Sequence, residues 1–391
     1  MKTLVLVILL STSISAESLG VFPFSESCLQ PCVDQKEIQK TGNDTSKSNA
    51  NSNTNLISGR SIEPFPILSY DTDTGFGYGA KGFFLNQLGM NESFDLTFFN
   101  STKGERWYRF VFSIPDFELR QRKIYPFAID LTIDYDKYIK NNFFGVGSSS
   151  NFSNKEFYTK EPLEISLILS RGFTNNFVGQ IGLKYNYIRN FNIPDNSIIL
   201  NLPSKLSSSK VNFTSMLINL RYDTRSSFIN PSDGTVLQGE TEFAAKNSLS
   251  NISFNRFAGG FQYYTALLFP KTILALRINL QTLTGDNLPI QVLLPLGGNS
   301  TLRGYSQDRF LDKTSAMVNA EIRYPIYWRF GGIVGMDAGK VWNSISKMNL
   351  NNWANNPVAG LRFYMDTFVV RLDVGFGRET TGVYFNFGQI F

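Results

Sequence analysis

A sixteen-stranded antiparallel β-barrel spanning a membrane is the all-β fold this sequence predicts, on three observations. From Ile62 onward the chain is a succession of runs of about 8 to 15 residues with alternating apolar positions, broken by clusters of Gly, Asn, Asp, Ser and Pro. The connections between runs are short on one side and long on the other, as expected of barrels with brief turns at one rim and longer loops at the opposite rim. Aromatic residues are abundant, 35 Phe, 17 Tyr and 4 Trp, in a chain whose mean hydropathy is only −0.13. An apolar outer face and aromatic girdles around a polar lumen give that combination.

The N-terminus comes first. Lys2, the apolar stretch Thr3–Leu10 and the small residues of Ser11–Ala16 have the form of a secretory signal at residues 1–16. Eight apolar positions are too few to cross a bilayer as a helix, which takes about 20. Residues 17–61 read as a disordered periplasmic segment, because Thr41–Ser58 has almost no apolar side chains to offset the entropy of ordering. Cys28 and Cys32 lie in this segment, and either close a small disulfide in an oxidising periplasm or remain spare thiols. Residues 62–391 are the predicted barrel.

Its sixteen runs are Ile62–Tyr70, Gly75–Leu85, Ser93–Asn100, Glu105–Ser113, Ile124–Lys137, Glu156–Arg171, Asn176–Arg189 and Lys210–Thr224, then Gly234–Ala245, Ile252–Leu267, Thr272–Thr284, Thr314–Tyr324, Trp328–Trp342, Trp353–Met365, Thr367–Gly377 and Thr381–Phe391. If the first run starts in the periplasm, external loops follow odd-numbered runs. The long gaps, 138–155, 190–209, 285–313 and 343–352, follow the fifth, seventh, eleventh and thirteenth. Even-numbered gaps are mostly brief, such as Phe269–Lys271 and Pro325–Tyr327, with 114–123 the longest. Most prolines fall in the gaps, where a missing N–H donor costs little. Pro126 and Pro357 lie near the starts of their runs and Pro64 and Pro66 in the first run; Pro162 fits least well, and the sixth strand is open to starting after it.

Alternation assigns the faces. In the twelfth run Ala316, Val318, Ala320, Ile322 and Tyr324 share one side, while Met317, Asn319, Glu321 and Arg323 share the other. In the fifteenth, Arg371 and Asp373 oppose Val370, Leu372 and Val374. A charge facing lipid at mid-depth costs on the order of 2–4 kcal/mol, so the charged sides face the lumen.

Composition excludes several functions. A net charge of +5, dispersed along the chain, argues against a nucleic-acid partner. The sequence has no histidine, which removes Ser-His-Asp and Cys-His catalysis as well as His-ligated metal sites. Neither an enzyme nor a cofactor nor a metal site is expected.

The chemistry concentrates near the C-terminal end. The glycine-rich stretch Leu296–Tyr305 carries Arg303-Gly304-Tyr305, and the two runs that follow place Glu321 and Asp337 on inward positions. A long external loop that folds back into the lumen would carry Arg303 to these acids, with its guanidinium donating in fork geometry; in a loop that stays outside, Arg303 is a solvated arginine. Gly297, Gly298 and Gly304 permit the tight turns this needs. Asp223 and Arg225, in the turn Tyr222–Gly234, read as an ion pair at the rim. Val383, Phe385, Phe387 and Phe391 share a face of the last run, and the end strands carry Pro64, Pro66 and Gly388, which weaken pairing at the closing seam.

In this order, Leu296–Tyr305, Asn319–Pro325 and Gly335–Gly339 resemble the barrel of BamA/TamA-type outer-membrane assembly factors, the bacterial surface antigen family. The segment Tyr222–Gly234 resembles a further signature of that family. The resemblance covers about residues 62–391 and implies an outer-membrane protein that assists insertion or translocation of proteins or lipids. It places Arg303, Gly304 and Tyr305 at the luminal tip of the loop, against Glu321 and Asp337, either as a structural plug or in direct contact with cargo. It implies a seam beside Pro66, Gly388 and Phe391 that opens laterally, and an aromatic C-terminal strand read by the barrel-assembly machinery. Expected partners are outer-membrane lipid, client proteins or lipids and that machinery, with the barrel a monomer. Only some 45 residues separate the predicted signal from the first run, so a barrel-only member without POTRA modules is expected. A passive pore or structural surface antigen that keeps the fold is the alternative.

Overall fold

The computed structural model describes residues 59–71, 75–102, 104–365 and 369–391. The predicted signal and the leader through residue 58, with both cysteines, lie outside the described residues.

The described residues form the strands β1 (Ser61–Asp71), β2 (Gly75–Leu85), β3 (Ser93–Ser101), β4 (Arg106–Ile114), β5 (Tyr125–Phe143), β6 (Glu156–Gly172), β7 (Phe177–Phe191), β8 (Lys210–Asp223) and β9 (Gly234–Ala244). They continue with β10 (Phe254–Ala266), β11 (Ile273–Thr284), β12 (Leu294–Leu296), β13 (Phe310–Asp312), β14 (Thr314–Tyr327), β15 (Phe330–Trp342), β16 (Ala354–Tyr364), β17 (Val369–Phe376) and β18 (Thr381–Phe387). One sheet runs β1 to β11 and then β14 to β18, each strand beside its neighbour in sequence, and β12 pairs with β13 alone. Among the described residues, the ladders are antiparallel from β1–β2 through β17–β18, and none joins β1 to β18.

Alternation accounts for the strands and their faces. Along β14, Asn319, Glu321 and Arg323 are buried while Ile322 and Tyr324 are exposed. Along β17, Arg371 and Asp373 are buried and Leu372 is exposed. The same inversion holds in β8 and β9, where Asn219, Glu240 and Glu242 are buried while Leu220 and Leu237 face outward. A sheet that hides its charges and exposes its leucines is the reverse of a water-facing one, and suits an apolar surround.

The structure departs from the sequence reading in several places. β6 runs straight through Pro162, which sits opposite Ile188, so the strand does not start after it; a 17-residue strand tolerates one missing donor. β5 continues to Phe143, well past Lys137. β14 extends through Pro325 to Tyr327, with a register shift between those two residues. The gap 114–123 contains a single helical turn, Phe117–Arg120, whose N-terminus is capped by Asp116 accepting from the Glu118 N–H at 3.1 Å. The final strand ends at Phe387 rather than Phe391, because Gly388 adopts φ +82° and turns the chain off the sheet.

The loop 285–313 is not plain coil. β12 and β13 form a small hairpin within it, and Leu288, Ile290, Val292, Leu293 and Leu294 join Leu311 in an apolar cluster. That cluster also takes in Phe143, Tyr158, Ile188, Phe213 and Phe254 from β5 to β10, and Ile199 from the 190–209 loop. The two longest predicted loops therefore pack together over one face of the sheet. Phe213 and Phe254 meet edge to face, with centroids 5.1 Å apart and planes at 81°.

Phe213→Ala should cost about 3–5 kcal/mol by emptying the centre of this cluster. Urea unfolding of detergent-solubilised protein, followed by tryptophan fluorescence, measures it. A loss below about 1 kcal/mol would mean that the loops are not packed as described.

Candidate functional site

The loop tip is positioned by glycines on both sides. Gly297 and Gly298 adopt φ +123° and +87°, and Gly298 N–H donates to the Tyr305 carbonyl at 2.9 Å, closing the tip into a compact turn. A Cβ on Gly375 would lie 2.3 Å from the Arg303 carbonyl carbon, and one on Gly382 would lie 2.3 Å from the Arg303 oxygen. These two glycines are register partners in the β17–β18 ladder, so they form a saddle on which the tip's backbone sits. Thr380 completes the seat by donating its hydroxyl to the Gly304 carbonyl at 3.0 Å.

From this seat Arg303 reaches three strands. Its Nε and Nη2 donate to the two oxygens of Asp337 on β15, at 3.0 and 2.8 Å. Nη1 donates to Glu321 on β14 at 2.6 Å and to Asp373 on β17 at 3.0 Å. Its backbone N–H donates to Asp337 Oδ2 at 3.0 Å. Arg303, Glu321, Asp337 and Asp373 are all fully buried. A charge sealed from water this way holds because each nitrogen of its guanidinium meets a carboxylate oxygen.

A second ring surrounds the acids. Glu321 accepts from Arg323 Nε at 2.9 Å, and Asp373 is bonded by Arg362 and lies 3.3 Å from Arg371. Asn319 and Asn356 donate to Asp337 at 2.8 and 3.2 Å. Arg371 in turn donates to Asn299 at 2.9 Å, and Arg277 to Asn319 at 3.0 Å and the Ser300 carbonyl, so this ring also grips the loop's backbone.

The structure thus brings Arg303, Glu321 and Asp337 together, with Gly304 and Tyr305 beside them. Arg362, Asn356 and the glycine saddle were not singled out from sequence, and Asp373 was assigned to the inward face without a partner. Asp373 did carry a signal, being the one acid on the buried face of its run. Arg309 was missed too. It is buried, donates to Glu379 at 2.5 Å and to Ser150 Oγ at 2.8 Å, and lies over the rings of Phe144 and Phe310. It ties the loop to the β5–β6 and β17–β18 connections at once. Asn141 and Asn142 at the end of β5 hold the same turn, donating to Asp308 at 3.1 Å and the Gln307 carbonyl at 3.0 Å. Burial pushes the Asp308 carboxyl above the usual aspartate range.

The seam residues are placed differently. Pro66 lies in mid-β1, exposed, opposite Ala80, and Gly388 lies just past β18. Phe391 is not on the strand face with Val383 and Phe385; it is buried against Tyr264, Arg277 and Arg323. Arg323 donates to its carbonyl at 2.9 Å. Asp223 accepts from both Arg221 and Arg225, at 2.5 and 2.8 Å. Among the described residues no group of three or more acids or cysteines is arranged to hold a metal, and the acids at the loop tip are already bonded to arginines.

The domain of the Omp85 superfamily matches residues 86–391. This chain belongs to the Omp85 superfamily. Solved structures agree on the fold of this Omp85 chain. It is similar to BamA from Haemophilus ducreyi lacking POTRA domains 1–3, with TM-score 0.61 and 14% identity over 84% of this chain and 69% of that one. It is similar to CdiB from Escherichia coli, with TM-score 0.59 and 13% identity over 85% and 68%. CdiB from Acinetobacter baumannii gives TM-score 0.55 and 13% identity over 84% and 65%. The chain thus spans about two thirds of the length of these proteins. A comparison with curated proteins finds no match. Among the described residues no helix is long and apolar enough to cross a membrane, which says nothing of strands.

Arg303→Ala should cost about 3–5 kcal/mol, because it strands three buried carboxylates. Arg303→Lys should recover little, since one ammonium cannot reproduce the fork. Gly375→Ala should lift the tip and cost about 1–3 kcal/mol by overpacking. Urea midpoints at constant m-value read all three. A Gly375→Ala protein as stable as its parent would refute the saddle.

Proposed function

We propose that this Omp85 chain closes as a sixteen-stranded barrel in the bacterial outer membrane, its loop 285–313 inside the lumen, and assists insertion or translocation of proteins or lipids there. The observation that carries the reading is the sealed contact of Arg303 with Glu321, Asp337 and Asp373. It fixes a long loop across the polar face of strands whose other face is apolar. Insertion and translocation at the outer membrane are the work of the superfamily.

Closure is supported by contacts that cross the sheet. The loop links the end of β5 to the β17–β18 connection through Asn142, Arg309 and Glu379. Gln389, just past the last strand, donates to Asn230 of the β8–β9 turn at 3.2 Å. Side chains so distant in strand order meet when the sheet curls round. Ladder pairing of β1 with β18 would complete it, at a seam weakened by Pro64, Pro66 and the departure of the chain at Gly388. In this reading the leader lies in the periplasm, the four long connections face outward, and client proteins or lipids approach at the seam or lumen. The role is not enzymatic.

The loop's packing favours a stoppered barrel over a passive pore. Purified protein in planar bilayers should show little conductance, and Arg303→Ala should raise it severalfold. Depletion in cells should lower a subset of outer-membrane proteins or lipids, read by comparing outer-membrane proteomes and lipid content with and without the protein. Stable wide conductance of the parent, together with an unchanged membrane, would overturn the assignment in favour of a pore. A disulfide engineered across β1 and β18 should abolish the function; full function when locked would remove seam opening from the mechanism.

A further inference from the structure

Beside Arg309 the structure has an open cavity of about 610 Å³, within the roughly 300–1,000 Å³ range of small-ligand sites. Its walls come from the connections 144–155, 343–353 and 377–380, the loop 285–313, and the adjoining ends of β15 and β16. These lie at the rim proposed above to face outward, and the inference rests on that proposal.

The charges are unbalanced. Arg309, Lys340 and Arg378 line the cavity against a single acid, Glu379. Glu379 is already taken up by Arg309 at 2.5 Å. Lys340 donates to the Asn349 side chain at 2.9 Å and the Asn351 carbonyl at 2.6 Å and lies over the Trp342 ring at 5.7 Å, all neutral partners that bring no acid to it. Arg378 is exposed and, among the described residues, donates no hydrogen bond. Two positive charges therefore face the cavity without an acid to match, which is the arrangement that takes a dianion.

The walls also have an aromatic component. Trp353 is half-buried, held edge-on by Trp342 at 5.8 Å and by its indole N–H donating to the Asn349 carbonyl at 3.1 Å. Tyr305 lines the floor, donating its hydroxyl to the Asn355 carbonyl at 3.3 Å. A fixed indole offers a flat apolar surface beside amides and hydroxyls, and the C–H face of a sugar ring stacks on such a surface. Inorganic phosphate would use the cations and ignore the ring.

We propose that this cavity binds an anionic, phosphate-bearing saccharide, with Arg378 and Lys340 on the phosphate and Trp353 on the sugar ring. The ligand chemistry is shared by the headgroup of a surface glycolipid and by a soluble phosphorylated oligosaccharide. Because the floor is Tyr305 beside Arg309, occupancy touches the segment that anchors the luminal loop.

The test is calorimetric titration of the detergent-solubilised full chain with glucosamine 6-phosphate, glucosamine and inorganic phosphate. The phosphosugar should bind saturably, at least tenfold tighter than either fragment. Arg378→Ala with Lys340→Ala should weaken it at least tenfold, the loss expected for charge-assisted contacts. Trp353→Ala should weaken the phosphosugar but leave phosphate unchanged. Each variant's fold is checked by heat-dependent gel migration. Phosphosugar binding no tighter than phosphate, or binding indifferent to the double variant in a folded protein, overturns the proposal. Vesicles containing a phosphorylated glycolipid separate the sources: binding tighter to them than to the soluble sugar assigns the headgroup, and equal binding assigns the soluble saccharide. Binding with no membrane phenotype on depletion would retain this site and reject the assembly role; the reverse result would reject only the site.

Discussion

A guanidinium shared by three carboxylates, with no water in reach, is the constraint on which the rest of the structure depends. Each ion would be costly to bury alone, and the arrangement is tolerable only when all four are present and correctly oriented. Arginine suits the centre because its planar fork presents donors in several fixed directions, so one side chain bonds Asp337 through two nitrogens while a third serves Glu321 and Asp373. The acids sit on β14, β15 and β17, each at an inward position of its strand. Loop and sheet are thereby locked in one register, because a one-residue slip of any of these strands would turn its acid outward.

The loop is held by two kinds of contact at different places. Leu288 to Leu294 and Leu311 are bound by apolar burial against β5 to β11, whereas the tip is bound by charge against β14 to β17. Arg309 adds a third point, at the rim. Apolar packing is indifferent to direction, so it contributes stability over a broad contact. The ionic tip is directional and determines where that stability is spent.

The end of the chain is tied into the same region. Arg277 and Arg323 face the polar side of β11 and β14, and they hold the carbonyls of Ile390 and Phe391. Arg362 donates to Gln389 at 2.9 Å and also bonds Asp373. The residues that neutralise the loop-tip acids are thus the ones that seat the segment after β18. Loop tip, last strand and chain end form one connected polar network.

Much of this was readable from the sequence by itself. The period-two alternation gave strand identity and face, because in a sheet that period decides on which side every side chain lies. Counting the runs predicted the sixteen strands of the large sheet, and the gaps between runs marked where the long connections fall along the chain. Glu321 and Asp337 stood out because acids at inward positions are costly without partners, whereas Arg303, in a loop, was tied to them by the resemblance to a known family. Other features were decided only by tertiary structure. Asp373 and Arg309 each lie 70 residues from their partners Arg303 and Glu379, so no local pattern joins them, and Arg362 reaches Asp373 only because β16 and β17 lie side by side. The roles of Gly375 and Gly382 follow from the close passage of another backbone, which leaves no trace in their own strands. The turn at Gly388 that carries Phe391 inward depends on Arg277 and Arg323 being there to receive it. A sequence specifies faces and punctuation locally; which distant groups end up sharing a charge is settled when the sheet curls and the loop comes down upon it.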